Sequence, residues 1–341
     1  MGKKQGKEHL ITEMIRQPKF SVVIPLYNKS AYIQKAIGSV LQQTFGEFEL
    51  IVVNDGSTDD GLDRLKTLSD KRIRVINQPN AGVATARNNG VRAAAYDYVA
   101  FLDADDWWDE HFLEAMQRLI AQYPDAGLYG CNYYYLKNGK CRVEDKGLED
   151  GFKAGYIDYF KVYARSFCVP FNSSFVIVAK HAFQAAGGFK VKLKFGEDFD
   201  LWARIALKYK VAYLNQPLAY SNQDVDCESR ALGAGKFFER DAHFIFNSAD
   251  LEKEAAGNPE LKKLLDGLRV RSLLGYYLND QESEAVRDQL TKVDFSKQPL
   301  YFRLLYCCPK PISKLFWAGK RWGSRCKQAG IWRSGTQGTF R

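Results

Sequence analysis

The chain has 341 residues, which is enough for one large domain or two modest ones. Hydrophobic residues make up 46% of the chain and charged residues 26%, as is typical of a soluble globular protein. No apolar run reaches about 18 residues, and residues 1–20 lack the apolar segment of a signal peptide. The sequence therefore predicts neither a transmembrane helix nor a secretory leader.

Cysteine and histidine usage favours a cytoplasmic protein without a zinc site. The seven cysteines form no C-x-x-C pair, and without a leader their thiols are expected to be reduced. The four histidines are scattered along the chain, so their spacing indicates no zinc ligand set.

Strand and helix patterns alternate in the first part of the chain. Short apolar runs predict strands at 19–24, 48–53, 73–77 and 98–102, and the intervening stretches 28–45, 62–68 and 82–95 predict helices. Four such alternations are typical of βαβ units. We therefore expect an α/β fold with a mostly parallel, doubly wound sheet flanked by helices.

The pattern becomes less regular after residue 108. We expect a helix at 109–122, a strand region at 127–136 and a charged loop at 137–152. A strand–helix–turn segment at 172–189, a helix at 196–209 and a short strand at 211–215 are expected to follow. Beyond residue 220 the chain changes character, and residues 230–290 predict helices of mixed polarity, which form a C-terminal helical extension.

Three of the predicted strands end in polar sequences. "PLYN" (25–28) follows the first strand, "NDGSTD" (54–59) the second and "DADD" (103–106) the fourth. Because parallel sheets bind ligands at the carboxyl ends of their strands, we expect these sequences to lie side by side on one rim.

The acidic cluster on this rim has two interpretations. Asp103 and Asp105 are two residues apart at a strand end, so both side chains can point to the same side. Their hard oxygen atoms suit Mg²⁺ or Mn²⁺, which keeps other positions for water and substrate phosphates. The alternative is a solvated turn in which Asp106 or Asp109 caps the next helix.

The other polar sequences also have two interpretations each. Asp55 can accept from a nucleotide base, or it belongs to a plain turn in which Asp59 caps a helix. Tyr27 can stack on a base or pack in the core. In "GEDFDLWAR", Asp198 can act as a general base, or Glu197 and Asp198 are charges favoured at a helix start.

Taken together, these sequences resemble a known family. "VVIPLYN", "SVLQQTF", "ELIVVNDGSTD", "NAGVATARNNG", "FLDADD", "GGF" and "EDFDLWAR" occur in the order and spacing of family 2 glycosyltransferases of the GT-A type. The resemblance extends from about residue 20 to about residue 220. It implies a GT-A-type, Rossmann-like catalytic domain at 19–220, between an N-terminal extension (1–18) and a helical extension (221–300) followed by a basic tail (301–341).

The resemblance also implies roles for individual residues. The residues implied to hold the nucleotide sugar are Pro25, Tyr27, Asp55, Arg87 and Asp103. Asp105 would bind the metal, Mn²⁺ or Mg²⁺, on the diphosphate, and Asp198 would be the catalytic base. The residues implied to shape the acceptor side or support the site are Gly188, Phe189, Glu197, Trp202 and Arg204.

The implied reaction is an inverting, single displacement from a nucleotide sugar, with UDP as the expected carrier. The implied acceptor is a carbohydrate or a lipid-linked sugar, as in bacterial surface polysaccharide or lipopolysaccharide assembly, with loops 137–170 and 221–240 setting specificity. One departure is that residues 218–230 lack the histidine that relatives often use near the diphosphate. Asp224, Asp226 and Arg230 are the available substitutes.

The positive charge of the chain is concentrated in its tail. Residues 301–341 contain nine Lys or Arg and no Asp or Glu, which equals the whole formal net charge of +9. A helix over 310–327 would place Ile312, Leu315, Phe316, Trp322 and Cys326 on one face, with Trp317 outside this stripe. Such a helix suits an anionic membrane surface at the inner face of the cell membrane, or it packs on its own domain. Nucleic acid is not an expected partner.

Two other functions are compatible with parts of this pattern. A nucleotidyltransferase also binds nucleotides on an α/β sheet, but a Gly- and Arg-rich loop would be expected where this chain has "PLYNKS". A non-catalytic carbohydrate- or lipid-binding relative is the second alternative. The presence of Asp103, Asp105 and Asp198 argues against it.

Overall fold

The structure is a computed structural model that describes residues 18–66, 68–225 and 237–318. The chain divides into two compact units, with the boundary between Leu264 and Leu265. The predicted extension at 1–18 lies almost wholly outside the described residues, as do Asp226, Arg230 and the part of the tail from residue 319 onward. Among the described residues, no helix is long and apolar enough to cross a membrane.

Ten strands form one sheet in the first unit. Strands β1 to β10 are, in chain order, Phe20–Leu26, Phe48–Asp55, Ile73–Gln78, Tyr98–Phe101, Trp107–Trp108, Ala126–Lys137, Lys140–Val143, Ala154–Ile157, Val176–Ala179 and Lys210–Asn222. Helices α1 to α8 of this unit are Ser30–Leu41, Gly61–Lys66, Val83–Ala93, Phe112–Gln122, Tyr159–Ser166, Lys180–Ala185, Glu197–Ala206 and Ala249–Ala255.

The predicted parallel sheet is confirmed. Strands β3, β2, β1 and β4 are neighbours in that order, and all three of these pairings are parallel. β1 and β2 lie at the centre and are buried along almost their whole length. This is why they appear in the sequence as continuous apolar runs instead of an alternating pattern.

The second half of the sheet contains both parallel and antiparallel pairings. β9 lies antiparallel between β4 and β6, and β6 then pairs in parallel with β10. The carboxyl ends of β4 and β6 therefore point to the same rim. Behind them the core is aromatic: Phe101 contacts Phe189 and Trp202, with ring centroids 5.5 and 6.1 Å apart.

The second unit is helical and small. Helix α9 (Pro259–Ser272) crosses the boundary in the chain, and α10 to α12 follow at Leu274–Leu278, Ser283–Thr291 and Leu300–Cys307. Residues 310–318 are also helical. Leu274, Leu278 and Leu305 form the buried centre of a small apolar cluster.

Candidate functional site

The three polar strand ends lie side by side, as the sequence predicts. β1 pairs with β2 on one side and with β4 on the other, so the turns that follow these strands are adjacent. The first two turns are joined directly, because the N–H of Thr58 donates to Asn28 Oδ1 over 2.8 Å. Tyr27 is 47% exposed on this rim, whereas Pro25 is buried within β1.

The Asp55 carboxylate organises the next loop. It is 3% exposed and accepts hydrogen bonds from the backbone N–H groups of Ala81 (2.8 Å) and Gly82 (2.9 Å) and from the Gln78 side chain (2.7 Å). A carboxylate has about four acceptor positions, so one position on Oδ2 stays available for a ligand. Asp59, which the alternative interpretation makes a helix cap, accepts from the N–H of Gly61 at the start of α2 and from the N–H of Ser30 at the start of α1.

A buried arginine joins the fourth strand end to helix α7. Arg87, on α3, donates from Nη2 to Asp103 Oδ1 (2.6 Å) and from Nη1 to Glu197 Oε1 (2.9 Å). Burial opposes the charge of Arg87, but Asp103 and Glu197 outweigh it and raise the pKa of the guanidinium. The guanidinium also lies 5.4 Å from the centroid of the Phe189 ring. Residues from three separate parts of the sequence thus meet in one ionic cluster.

Asp105 pairs with a different cation. Lys29 Nζ lies 2.5 Å from Asp105 Oδ2, and both side chains are mostly buried. Burial raises the pKa of Asp105 and Lys29 opposes this shift. Asp106 is buried and accepts from the N–H of Asn222 (2.8 Å), so it fixes the end of β10 and does not cap the next helix.

Asp198 is a carboxyl group with a pKa suited to proton transfer near neutrality. It lies in the first turn of α7, partly buried, and its Oδ1 accepts from the adjacent N–H of Phe199 (2.7 Å). Burial, followed by repulsion from Glu197, raises the pKa of Asp198 to about 7, while Arg87 opposes the shift. A carboxyl group in this range changes protonation state near physiological pH.

The Gly-Gly turn next to α7 is held by two polar groups. Gly188 has a φ of +70°, and a Cβ there would lie 2.9 Å from Asn88 Oδ1. Asn88 in turn donates to the carbonyl of Phe189 and accepts from its N–H. On the other side, Arg204 donates to the Gly188 carbonyl (2.8 Å) and pairs with buried Asp200 (2.6 Å). Arg204 therefore helps to fix the conformation of this turn.

The structure places most of the predicted site residues on one rim, and a few pack behind the rim in the core. Asp103, Asp105 and Asp198 are close enough to interact electrostatically with their neighbours in the cluster. Trp202 is 1% exposed and packs behind Phe189 at 5.7 Å between ring centroids. It therefore supports the site from the core.

Three residues of this region were not predicted. Lys29 lies 76 positions from its partner, so no local sequence pattern connects them. Ser174 Oγ accepts from the N–H of Asp103, and its carbonyl accepts from the indole of Trp108. Asp200 could have been identified from its i, i+4 spacing to Arg204, which is typical of a helical ion pair.

The carboxylates of this rim fit a metal that arrives with its substrate. Among the described residues, no group of three or more His, Cys, Asp or Glu side chains could hold a metal ion by itself. Mg²⁺ is often held by one or two carboxylates together with substrate phosphates, and Asp105 with Asp103 supplies such a donor set. Asp224 is engaged elsewhere, because it accepts from the N–H groups of Asn138 and Gly139 in the β6–β7 turn.

A cleft of about 610 Å³ opens beside the end of β6, and it lies mostly within the predicted specificity loop. Its lining includes Tyr135, Arg142 and Phe167. A further lining residue, Tyr133, stacks on Phe175, with 4.2 Å between the ring centroids. Phe175 directly follows Ser174, whose Oγ accepts from the N–H of Asp103. The cleft is thus connected to the acidic cluster by adjacent side chains.

Part of the chain is similar to a known family. Residues 21–175 match the model of the family described as Glycosyl transferase family 2. The chain is 31% identical over 213 residues to "Glycosyltransferase GlyA" of Streptococcus pneumoniae serotype 4, which is 60% of this chain and 30% of that protein. It is 28% identical over 203 residues to "Hyaluronan synthase" of Pasteurella multocida, which is 59% of this chain and 20% of that protein. The chain spans about a third of the length of the first curated relatives it matches.

Solved structures show the same fold. Residues 1–349 of Staphylococcus aureus TarS, crystallised in complex with UDP-GlcNAc, superpose with a TM-score of 0.56 at 19% identity. The match covers 80% of this chain and 90% of that one. The complex of the same TarS fragment with UDP gives a TM-score of 0.54. The expected GT-A-type fold is therefore confirmed.

Proposed function

We propose that the chain is a glycosyltransferase that moves a sugar from a UDP-linked donor to an acceptor hydroxyl with inversion at the anomeric carbon. The observation that carries this proposal is Asp198, a carboxyl group with a pKa of about 7 beside the Arg87–Asp103 pair at the carboxyl edge of the sheet. A base with this pKa is about half ionised at neutral pH and accepts a proton readily.

The rim offers matching groups for the nucleotide. Tyr27 presents an exposed ring beside Asp55, whose remaining acceptor position can take a base N–H. Arg87 and Asp103 would lie next to the ribose and the donor sugar. The TarS crystals with UDP and UDP-GlcNAc support a UDP-linked donor, because they show that this fold binds such a ligand in a relative.

Asp105, with Asp103 nearby, would hold Mn²⁺ or Mg²⁺ together with the donor diphosphate. The chemistry that such a cation supplies is stabilisation of the negative charge that develops on the departing nucleoside diphosphate. Lys29, which pairs with Asp105 in the structure, contributes a second positive charge to this part of the rim.

The protein's own groups account for the remaining steps. Asp198 takes the proton of the acceptor hydroxyl while the oxygen of that hydroxyl bonds to the anomeric carbon. The bond from this carbon to the diphosphate oxygen breaks, and the electron pair leaves with the nucleoside diphosphate. Arg87 holds Asp103 and Glu197 in place, so that Asp198 and the donor sugar keep a fixed separation.

The acceptor is proposed to be a carbohydrate or a lipid-linked sugar of a bacterial surface polysaccharide. The cleft beside β6 offers the rings of Tyr135 and Phe167 and the charge of Arg142. Aromatic faces and charged hydrogen-bond donors suit a polyhydroxylated ligand. The family resemblance adds Gly188 and Phe189 as residues that would shape the acceptor side. The name of one curated relative, "Hyaluronan synthase", supports polysaccharide synthesis. The location that we propose for the reaction is the cytoplasm.

The experiment that tests this function is release of nucleoside diphosphate from a panel of nucleotide sugars in the presence of Mn²⁺. We expect slow release from one UDP-sugar, faster with its acceptor, and loss of activity by about a hundredfold or more in Asp198→Asn. Asp125→Asn is the matched control, because Asp125 is an exposed carboxylate on a surface loop. Full activity of Asp198→Asn would show that another group is the base.

A further inference from the structure

The helix at residues 310–318 turns one face inward and another outward. Ser313 is fully buried and its hydroxyl donates to the carbonyl of Leu305 (2.8 Å). Trp317, one turn later, packs against the Leu274–Leu278–Leu305 cluster. Trp317 lies outside the predicted apolar stripe because it belongs to the packing face of the helix.

The outward face is apolar as well. Ile312, Leu315 and Phe316 follow the i, i+3, i+4 spacing of one helix face, and they are 45%, 75% and 65% exposed. On the preceding helix α12, Leu300 and Leu304 are one turn apart and 63% and 53% exposed. Five large apolar side chains thus reach solvent within 17 residues. Clustering of this kind marks an interaction surface, whereas single exposed apolar residues are common.

The positive charge of residues 300–318 favours an anionic partner. Residues 300–318 contain Arg303, Lys310 and Lys314 and no acidic residue, and residues 319–341 add six Lys or Arg and no Asp or Glu. Lys310 also pairs with Asp280, which lies outside the segment. A helix is about 10 Å across, which is close to the Debye length at physiological salt, so Arg303, Lys310 and Lys314 act on a surface that the apolar face touches.

We propose that this face of the second unit, defined by Leu300, Leu304, Ile312, Leu315 and Phe316, docks on an anionic lipid bilayer. Apolar side chains enter the boundary between head groups and acyl chains, and the cations are attracted to the negative surface. The burial of Ser313 and the packing of Trp317 against the apolar cluster hold the helix on its own unit, so the outward side chains are oriented before they meet the lipid. The docking is independent of the glycosyltransferase activity.

Co-sedimentation of the full chain with vesicles, without any donor, tests the proposal. We expect binding to vesicles of phosphatidylcholine mixed with phosphatidylglycerol, weaker binding to phosphatidylcholine alone, and a decrease with added salt. Leu315→Ser/Phe316→Ser should weaken binding by about tenfold or more, because each removes apolar burial. Arg303→Gln/Lys314→Gln should weaken it severalfold on the anionic vesicles only.

The matched control is Val75→Ser/Val191→Ser, which removes two exposed apolar side chains from the first unit. This variant should bind as the unaltered chain does. Equal binding of the Leu315→Ser/Phe316→Ser variant would overturn the proposal, provided that its thermal melt is unchanged. Conversion of a dimer into a monomer by the same double substitution, without vesicles present, would also overturn it and assign the face to a second copy of the chain.

Discussion

Lys29 Nζ lies 2.5 Å from Asp105 Oδ2, so a cation of the protein already occupies one side of the carboxylate proposed as the metal ligand. Both side chains are mostly shielded from water, where opposite charges attract more strongly than at the surface. A metal that binds Asp105 must therefore overcome repulsion from Lys29.

This relationship predicts that Lys29→Met tightens the binding of Mn²⁺ in the absence of nucleotide. The expected gain is about threefold to tenfold, because one competing cation is removed. Isothermal titration with Mn²⁺ measures it. Lys19→Met, which removes a lysine exposed at the start of β1, is the control. Unchanged or weaker Mn²⁺ binding in Lys29→Met would show that the two cations do not compete.

The raised pKa of Asp198 predicts the pH dependence of the reaction. A general base must be ionised, so kcat/KM should rise about tenfold per pH unit below 7 and level off above the pKa of about 7. Initial rates between pH 5 and pH 9, at saturating metal, give this profile. A flat profile across this range, with chemistry limiting, would contradict the assignment of Asp198.

The same pKa shift has a consequence for stability. The pKa of Asp198 is raised from 3.8 to about 7 in the folded chain, so ionising this group costs folding free energy as the pH rises between these values. Asp198→Asn should therefore increase the free energy of unfolding at pH 8 by on the order of 1 kcal/mol and change it little at pH 4. Urea unfolding at the two pH values measures the difference.

Arg87 is predicted to affect both the free energy of unfolding and the pKa of Asp198. Arg87→Met leaves Asp103 and Glu197 without their shared partner, so the free energy of unfolding should fall by about 2 kcal/mol. Because Arg87 lowers the pKa of Asp198, its loss should also move the acidic limb of the rate profile to higher pH. Arg92→Met, which replaces an exposed arginine on the same helix, should change neither the free energy of unfolding nor the rate profile.

The Gly-Gly turn allows a matched pair of substitutions. Gly187 and Gly188 have φ values of +79° and +70°, so alanine is strained at both by about 1 kcal/mol. Only at Gly188 does the new Cβ also meet Asn88 Oδ1, at 2.9 Å. Gly188→Ala should therefore cost about 1 kcal/mol more than Gly187→Ala in thermal or urea unfolding. Equal losses would mean that Asn88 moves aside freely.

The parallel half of the sheet could be predicted because each of its elements is encoded locally. The continuous apolar run of β1 and the polar turn after it are properties of adjacent residues. The adjacency of the three strand ends then follows from the general rule for parallel sheets.

The pairings that complete the site could not be predicted in this way. Lys29 meets Asp105 only because β1 and β4 are neighbours, and the two residues are 76 positions apart. Similarly, the inward orientation of Trp317 depends on a cluster built from α10 and α12. Helical periodicity alone groups the outward residues of a helix but does not reveal which face the rest of the unit covers.

Calorimetric titration with UDP in the presence of Mn²⁺ tests the proposed metal-dependent nucleotide site without an acceptor and without knowledge of the sugar. We expect saturable binding that needs the metal and that weakens by about tenfold or more in Asp105→Ala, with no change in Asp125→Asn. Absence of UDP binding with Mn²⁺ by a chain that melts cooperatively would contradict it, and the acidic cluster would then be a solvated turn at the end of a strand.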